Sequence, residues 1–87
     1  MKQEQAKAMV MAIETLSSAF GSNIKATWEL RTFSTDVDED NEVFIYSEAE
    51  SELNYLRIHA IALAMEEAYA LPSFHCTYKE HKAFRLW

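Results

Sequence analysis

Residues 24–31 read IKATWELR, and this stretch decides the fold because its hydrophobic pattern differs from that of the residues before it. Apolar and polar side chains alternate at every step, which is the period of a β-strand with one covered face and one wetter face. Residues 3–20 instead carry apolar side chains at steps of three and four, the pattern of an amphipathic helix. The chain therefore passes from helix to strand, and Gly21 between them is predicted to close the helix in the left-handed conformation.

A second apolar run, EVFIY at residues 42–46, predicts the next strand. Val43 and Ile45 are expected on one side of it, and Phe44 and Tyr46 on the other. Because both sides are apolar, this strand is expected inside the sheet rather than at its edge. Short connections make sequential strands neighbours, so the two runs are predicted to form an antiparallel hairpin with a long acidic loop.

A long second helix is predicted to follow and to continue to Ala70, and Pro72 ends it. Ser47 followed by Glu50 fits a capping box, and Ser51 offers a second cap one turn later. The helix is apolar around most of its circumference, so it needs cover on more than one side, from the sheet and the first helix or from a second copy of the chain. One apolar face is expected to comprise Leu53, Leu56, Ala60, Leu63, Ala64 and Leu71. Further apolar residues widen this arc, namely Ile58, Ile61, Met65, Ala68 and Tyr69, and the narrow polar strip comprises Glu52, Tyr55, His59 and Glu66.

The tail, residues 73–87, returns to a two-residue period. Residues 79–82 offer a turn that divides it into two strands, but no Gly or Asn marks the bend, so one long strand is the alternative. The resulting order α-β-β-α-β-β is typical of an α+β two-layer sandwich. The sequence therefore predicts an antiparallel sheet of three or four strands packed against two helices, in a single domain over residues 1–87.

Composition limits the class of protein. The chain has the size of one domain at 87 residues, and 49% hydrophobic content argues against intrinsic disorder. Cys76 is the only cysteine, which excludes an intramolecular disulfide and favours a reducing compartment. No stretch reaches the roughly 20 apolar residues of a membrane span, and the first residues do not resemble a secretory signal. These features predict a cytoplasmic domain.

The net charge of −6 is unevenly distributed. Residues 32–56 contain eight acids and no Lys or Arg, whereas the rest of the chain has six acids and eight bases. The first segment therefore carries −8 and the remainder +2. A surface of that polarity repels phosphate backbones and anionic membranes, and it attracts a basic partner.

The acidic segment also resembles part of a calcium-binding loop. Asp36, Asp38 and Asp40 are spaced like the first three ligands of such a loop. Asn41, however, stands where glycine is expected, and Ser47 stands where a bidentate glutamate is required. The interpretation preferred here is a solvated hairpin loop without a metal.

Other chemical motifs are incomplete as well. His75, Cys76 and His81 lie within seven residues, but successive strand residues point to opposite faces and no further ligand pair completes a zinc site. His59 lies two helical turns from the glutamates on its strip, too far for a direct hydrogen bond. The aromatic residues of the predicted strands are interpreted as core rather than as a base-stacking platform. The chain is therefore predicted to carry no metal or cofactor and not to be an enzyme.

A domain of this kind is predicted to act by binding another macromolecule. Carboxylates spaced along a rigid surface imitate a nucleic-acid backbone, so a basic nucleic-acid-binding groove would accept them. In its small size and acidity the chain resembles phage-encoded inhibitors of host defence such as anti-CRISPR proteins, although no motif carries that likeness. The predicted partner is a basic protein, with no direct contact to nucleic acid or membrane. The alternative is a homodimeric structural or accessory subunit that packs through the apolar second helix. The predicted partner-binding residues are Asp36, Asp38, Glu39, Asp40, Glu42, Glu48 and Glu50.

Overall fold

The computed structural model describes residues 1–19 and 23–87, and it shows two helices packed on one face of a four-stranded antiparallel sheet. This is the predicted α+β sandwich, with the larger of the two expected strand counts. The helix end predicted at Gly21 lies outside the described residues. The elements in chain order are α1 (Gln3–Ala19), β1 (Ile24–Leu30), β2 (Asn41–Ser47), α2 (Glu52–Tyr69), β3 (Ser73–Tyr78) and β4 (His81–Leu86).

The sheet runs in the order β1-β2-β4-β3, so β2 and β4 are central and β1 and β3 form the edges. All three neighbouring pairs are antiparallel. The prediction that β2 lies inside the sheet is confirmed. Val43 and Ile45 face the helices, whereas Phe44 and Tyr46 lie on the other face, which no helix covers.

The tail forms two strands rather than one. Lys79 and Glu80 connect them, and both residues have positive φ angles, 46° and 70°. Two successive left-handed residues are typical of the type I′ turn, whose twist matches that of the flanking strands. Asn and Gly favour these angles whereas Lys and Glu do not, which is why the sequence pattern left the bend open. The pairing of β3 with β4 imposes the turn.

The main hydrophobic core lies between the helices and the sheet. Met9 and Ile13 of α1 have no exposed surface, and neither have Ile45 and Leu86 of the central strands. Burying side chains of this size stabilises a fold by roughly 1.5–3 kcal/mol each. α1 packs mainly against β1 and α2 mainly against β4, so the two helices together cover the width of the sheet.

The second helix begins at the second of the two predicted caps. Ser51 is the N-cap, and its Oγ accepts a hydrogen bond from the Asn54 N–H at 3.0 Å. The capping box predicted at Ser47 and Glu50 is therefore wrong. Ser47 is the buried last residue of β2, and its Oγ donates to the Ala49 carbonyl at 3.2 Å. Pairing with β1 keeps Ser47 in the sheet, so the helix starts a turn later.

α2 buries only part of its broad apolar arc. Leu53, Leu56 and Leu63 of the predicted apolar face are 56%, 58% and 50% exposed. His59 of the predicted polar strip stays exposed, and its ring stacks on Phe84 of the sheet with 5.0 Å between ring centroids. Because the helix is apolar on most sides, the helical wheel could not decide which side meets the sheet. The side chains that α2 buries are Ile58, Ile61, Ala62 and Met65.

Candidate interaction surface

The connection between β1 and β2, here called the acidic loop (residues 31–40), is folded by its own carboxylates. Asp36 Oδ1 accepts hydrogen bonds from the backbone N–H groups of Asp38 and Glu39, both at 3.2 Å. Asp40 Oδ2 accepts a hydrogen bond from Ser34 Oγ at 2.7 Å. Short polar side chains that bind nearby backbone groups in this way define the path of a turn. Two of the predicted binding residues thus also hold the loop in shape.

The acidic loop is attached to the body of the protein at its base. The Gln3 N–H donates to the Asp38 carbonyl at 3.2 Å, and Asn41 Nδ2 donates to the Val37 carbonyl at 3.0 Å. Asn41 is only 1% exposed, and its backbone N–H and its side chain both donate to the Met1 carbonyl. A buried amide that satisfies several carbonyls fixes the loop relative to the sheet. The loop therefore has a defined backbone path, although most of its side chains are exposed to solvent.

The outer surface of the acidic loop combines apolar and charged side chains. Phe33 has a positive φ of 66° and a completely exposed ring, and Val37 is 59% exposed. Asp38 and Glu39 are exposed beside them. The exposure of Phe33 is not predicted from the sequence, because the aromatic residues in and around the strands are interpreted as core. Its position between two runs of polar residues was the available signal.

The carboxylates of the acidic loop are not neutralised by the described part of the chain. Among the described residues Lys25 forms an ion pair with Glu48, and His81 lies close to Glu50, but both contacts are outside the loop. Arg31, at the base of the loop, places its guanidinium 4.5 Å from the centre of the Trp87 ring. Arg31 thus contacts an aromatic face, and it forms no ion pair with an acid of the loop among the described residues. The loop thus presents concentrated negative charge.

Glu48 and Glu50 do not belong to the same surface as the acidic loop. They follow the opposite end of β2, and the six residue steps from Asn41 to Ser47 span about 20 Å. Glu48 Oε1 lies 3.2 Å from Lys25 Nζ, and Glu50 Oε1 lies 3.5 Å from His81 Nδ1, the latter too long for a good hydrogen bond. The single patch expected from the sequence is therefore two separate groups of acids.

Glu42 does not project outward with the other acids. It lies on the uncovered face of β2 opposite Glu29, and it is only 5% exposed. Burial raises the pKa of the Glu42 carboxyl, and the nearby positive charges of Arg85 and Arg31 oppose that shift. A carboxyl buried in this way is not available to a partner, so Glu42 is removed from the candidate surface.

On the sheet face that the two helices leave uncovered, the Tyr78 side chain packs across the neighbouring strands. Its ring stacks on Phe44 at 4.7 Å and contacts Tyr46 at 4.9 Å, and its hydroxyl donates to Glu29 Oε1 on the far edge strand at 3.0 Å. The methyl side chain of Ala83, which is fully buried, makes room for the crossing ring. Burial and the bond to Glu29 raise the pKa of Tyr78. These aromatics pack on one another, so they do not form an open platform for stacking bases.

The other candidate sites are less complete. His75 contacts Tyr55 on the helical face, whereas Cys76 packs with the cluster on the opposite face, as strand alternation predicted. Among residues 1–19 and 23–87, no three His, Cys, Asp or Glu side chains converge to hold a metal ion. A cavity of about 360 Å³ opens at the start of α2 between Tyr55 and Lys82, but both acids and a base line it and favour no single ligand class. The acidic loop remains the most organised feature on the surface.

Comparisons with known proteins add no assignment. The chain was compared with protein-family models, with curated proteins and with solved structures, and none of them matched. In the part of the chain that the structure describes, neither helix combines the length and the apolarity needed to cross a bilayer. Function must therefore be inferred from the geometry of the surface itself.

Proposed function

We propose that this chain is a protein-interaction module that docks on a basic surface of another protein through its acidic loop. The observation that carries this proposal is the completely exposed ring of Phe33 beside carboxylates that have no cationic partner among the described residues. Exposed aromatics are the side chains that most often anchor an interface in a partner's pocket. The surrounding acids form the charged rim.

The two kinds of side chain have different tasks in this proposal. Asp38 and Glu39 attract a cationic partner over a distance set by the ionic strength and thereby raise the association rate. Phe33 and Val37 remove apolar surface from water once contact is made, which lowers the dissociation rate. The internal hydrogen bonds of the loop reduce the ordering entropy that docking costs.

The proposed partner class is a protein with a basic groove built for nucleic acid. A run of fixed carboxylates offers such a groove a substitute for phosphate charges. Binding rather than turnover is the proposed role, and an inhibitor that occupies such a groove, of the kind phages encode, is its most specific form. The supporting feature is that Asp36 and Asp40 accept hydrogen bonds and so fix the spacing of the exposed acids.

The experiment uses the full chain as bait in a native lysate, with captured proteins identified by mass spectrometry. The double variant Asp38→Lys/Glu39→Lys reverses two charges that the loop does not need for its own folding. The matched control, Glu48→Lys/Glu50→Lys, makes the same change in net charge at the other end of the sheet. Capture of a basic protein should be lost with the first variant, retained with the control, and weakened by added heparin as a competing polyanion.

A third variant, Phe33→Ala, distinguishes the apolar contact of Phe33 from the electrostatic attraction exerted by the acids. We expect it to raise the dissociation rate of the purified complex and to leave the salt dependence of association unchanged. The proposal fails if the loop charge reversal leaves binding unchanged at both low and high salt. It also fails if the charge reversal at Glu48 and Glu50 is the more damaging of the two.

A further inference from the structure

The two edge strands of the sheet are protected differently. β1 carries Lys25 and Glu29, charges of the kind that discourage pairing with another strand. β3 reads SFHCTY and contains no Lys, Arg, Asp, Glu, Pro or Gly. Phe74 on this strand is 43% exposed. An uncharged edge of β-branched and aromatic residues is a template for a further strand.

The backbone groups that β3 leaves free can be identified. The Ser73 N–H donates to Glu66 Oε1 at 2.7 Å, so it points away from β4. Backbone N–H and C=O groups alternate in direction along a strand, so those of His75 and Thr77 point away from β4 as that of Ser73 does. The tight turn leads to the same assignment, since the backbone N–H and C=O groups of Tyr78, directly before it, must pair with β4. Among the described residues, no hydrogen bond outside the strand ladders takes the N–H and C=O groups of His75 and Thr77.

We propose that β3 pairs antiparallel with β3 of a second copy of the chain, which joins the two sheets into one. The register that pairs His75 with the second copy's Thr77, and Thr77 with the second copy's His75, satisfies all four free groups. That register places the two-fold axis at Cys76, directly opposite the second copy's Cys76. The contact is isologous, as expected for a two-fold dimer.

The position of α2 indicates that the strand pairing with β3 comes from a second copy of the chain rather than from another protein. α2 packs mainly over β4 and also contacts β3, where its Tyr55 ring lies 5.9 Å from the His75 ring, so this helix reaches the edge strand. At about 100° per residue, Leu56 and Leu63 lie about 80–100° from Tyr55 on the outward side of α2. The same two-fold axis brings the two copies of α2 together, and these leucines then line the cleft between them.

A foreign strand would satisfy the edge of β3 but leave the leucines in water. The described residues expose seven large apolar side chains, and four of these lie on α2 and β3. The two-fold axis thus brings together the free edge of β3 and the exposed Leu56 and Leu63 of α2. The four side chains are Leu53, Leu56, Leu63 and Phe74.

The first test is the oligomeric state of the full chain, measured by sedimentation velocity and light scattering from about 1 to about 100 µM. The wild-type chain should form a concentration-dependent dimer. Thr77→Pro removes an outward N–H that β4 does not use, and it should raise the dimer dissociation constant by about tenfold or more. Thr77→Lys, which places like charges near the axis, should do the same. Met11→Glu, on α1 at a side chain that is 68% exposed, is the matched control and should have no effect.

The second test measures the register with the native thiol. Antiparallel partners that do not exchange hydrogen bonds have Cα atoms about 4.5 Å apart, within the range that a disulfide spans. Diamide should therefore oxidise Cys76 and the second copy's Cys76 to a disulfide, taking up the two hydrogens of the thiols as it is reduced to the hydrazine. In the background Cys76→Ser, the variant Thr77→Cys should not cross-link, because position 77 faces position 75 of the second copy.

Three results would overturn the proposal. A wild-type chain that remains monomeric throughout the concentration range overturns the proposal. A dimer that persists unchanged in folded Thr77→Pro and Thr77→Lys, as checked by circular dichroism, also overturns it. Cross-linking of Thr77→Cys as efficient as that of Cys76 contradicts the register and hence the pairing. Reversal of Asp38 and Glu39 should leave the dimer intact, so failure of this proposal is distinguishable from failure of the docking function.

Discussion

The two hairpins of this sheet reach the same antiparallel geometry by different means. The β1–β2 hairpin closes through the acidic loop, whose path is set by hydrogen bonds that Asp36 and Asp40 accept and that Asn41 donates. The β3–β4 hairpin closes through Lys79 and Glu80 alone, two residues that disfavour the left-handed conformation they adopt. The first connection is specified locally by its side chains, whereas the second is imposed by the pairing of its strands. The local rules of turn chemistry therefore describe only one of them.

The hairpins also differ in what they present to solvent. The first exposes charge and a single aromatic ring at its loop, and its outer strand carries Lys25 and Glu29. The second exposes an uncharged strand edge. We associate the first with docking on a basic protein and the second with self-pairing. Tyr78 links the two, because it starts on the outer strand of one hairpin and donates to Glu29 on the outer strand of the other.

Removing that link should give the largest effect on stability. Tyr78→Ala deletes a ring that is 8% exposed and packs against Phe44, so we expect a loss of about 3 kcal/mol in the free energy of unfolding. Tyr78→Phe retains the ring and loses only the bond to Glu29, for which about 1 kcal/mol is expected. Urea denaturation measures both values. Equal losses in the two variants would show that the hydroxyl, not the ring, joins the hairpins.

Relieving the turn should give the next largest effect, in the opposite direction. Lys79→Asn/Glu80→Gly supplies the residues that a type I′ turn favours, and we expect a gain of about 2 kcal/mol in unfolding free energy. The control Lys79→Ala/Glu80→Ala removes the same side chains but keeps both Cβ atoms, so it should give no gain. Thermal and urea unfolding of the two double variants compare them directly. A similar gain in both would assign the effect to charge instead of backbone conformation.

The acidic loop should respond more weakly. Asp36→Ala removes the acceptor of two backbone N–H groups, and a loss of about 1 kcal/mol in unfolding free energy is expected. Asp38→Ala removes an equal charge from an exposed side chain and should change stability little. Hydrogen exchange of the Asp38 and Glu39 amides should speed up only in the first variant. No change in that exchange would mean that the Asp36 carboxylate does not fix the loop.

The smallest effect concerns Glu42 on β2, which lies near the positive charge of Arg85 on β4. Its pKa is raised above that of an exposed glutamate, mainly by burial. The folded state therefore holds this proton more tightly than the unfolded state, and the related stability is present below pH 4.5 and is lost as pH rises through the folded pKa. Glu42→Gln should remove that decline from the pH profile of urea unfolding. A constant difference between wild type and variant across this range would contradict it.

Part of this architecture follows from periodicity in the sequence. The alternation in residues 24–31 and 42–46 predicts the first hairpin and the interior position of β2, since strand side chains alternate strictly between two faces. The three-and-four spacing predicts α1. The acidic segment predicts that a charged loop follows β1. Periodicity succeeds here because it depends only on residues within one element.

The candidate surface was predicted less well. Asp36, Asp38, Glu39 and Asp40 do lie together in the acidic loop, but Glu42 is buried. Glu48 and Glu50 lie at the other end of the sheet, beside Lys25 and His81 respectively. The exposure of Phe33 was not predicted at all. Sequence proximity groups charges along the chain, whereas strand direction separates them in space.

The sequence by itself determined the element types, their order up to the tail and the side chains that share a face, because these depend on backbone geometry within a few residues. Only the tertiary structure decided which face is covered. It turned Leu53, Leu56 and Leu63 of α2 to solvent, and it brought Tyr78 across the sheet to Glu29. Such choices depend on contacts between residues far apart in the chain, where shape and charge of whole elements compete, and no local pattern records their outcome.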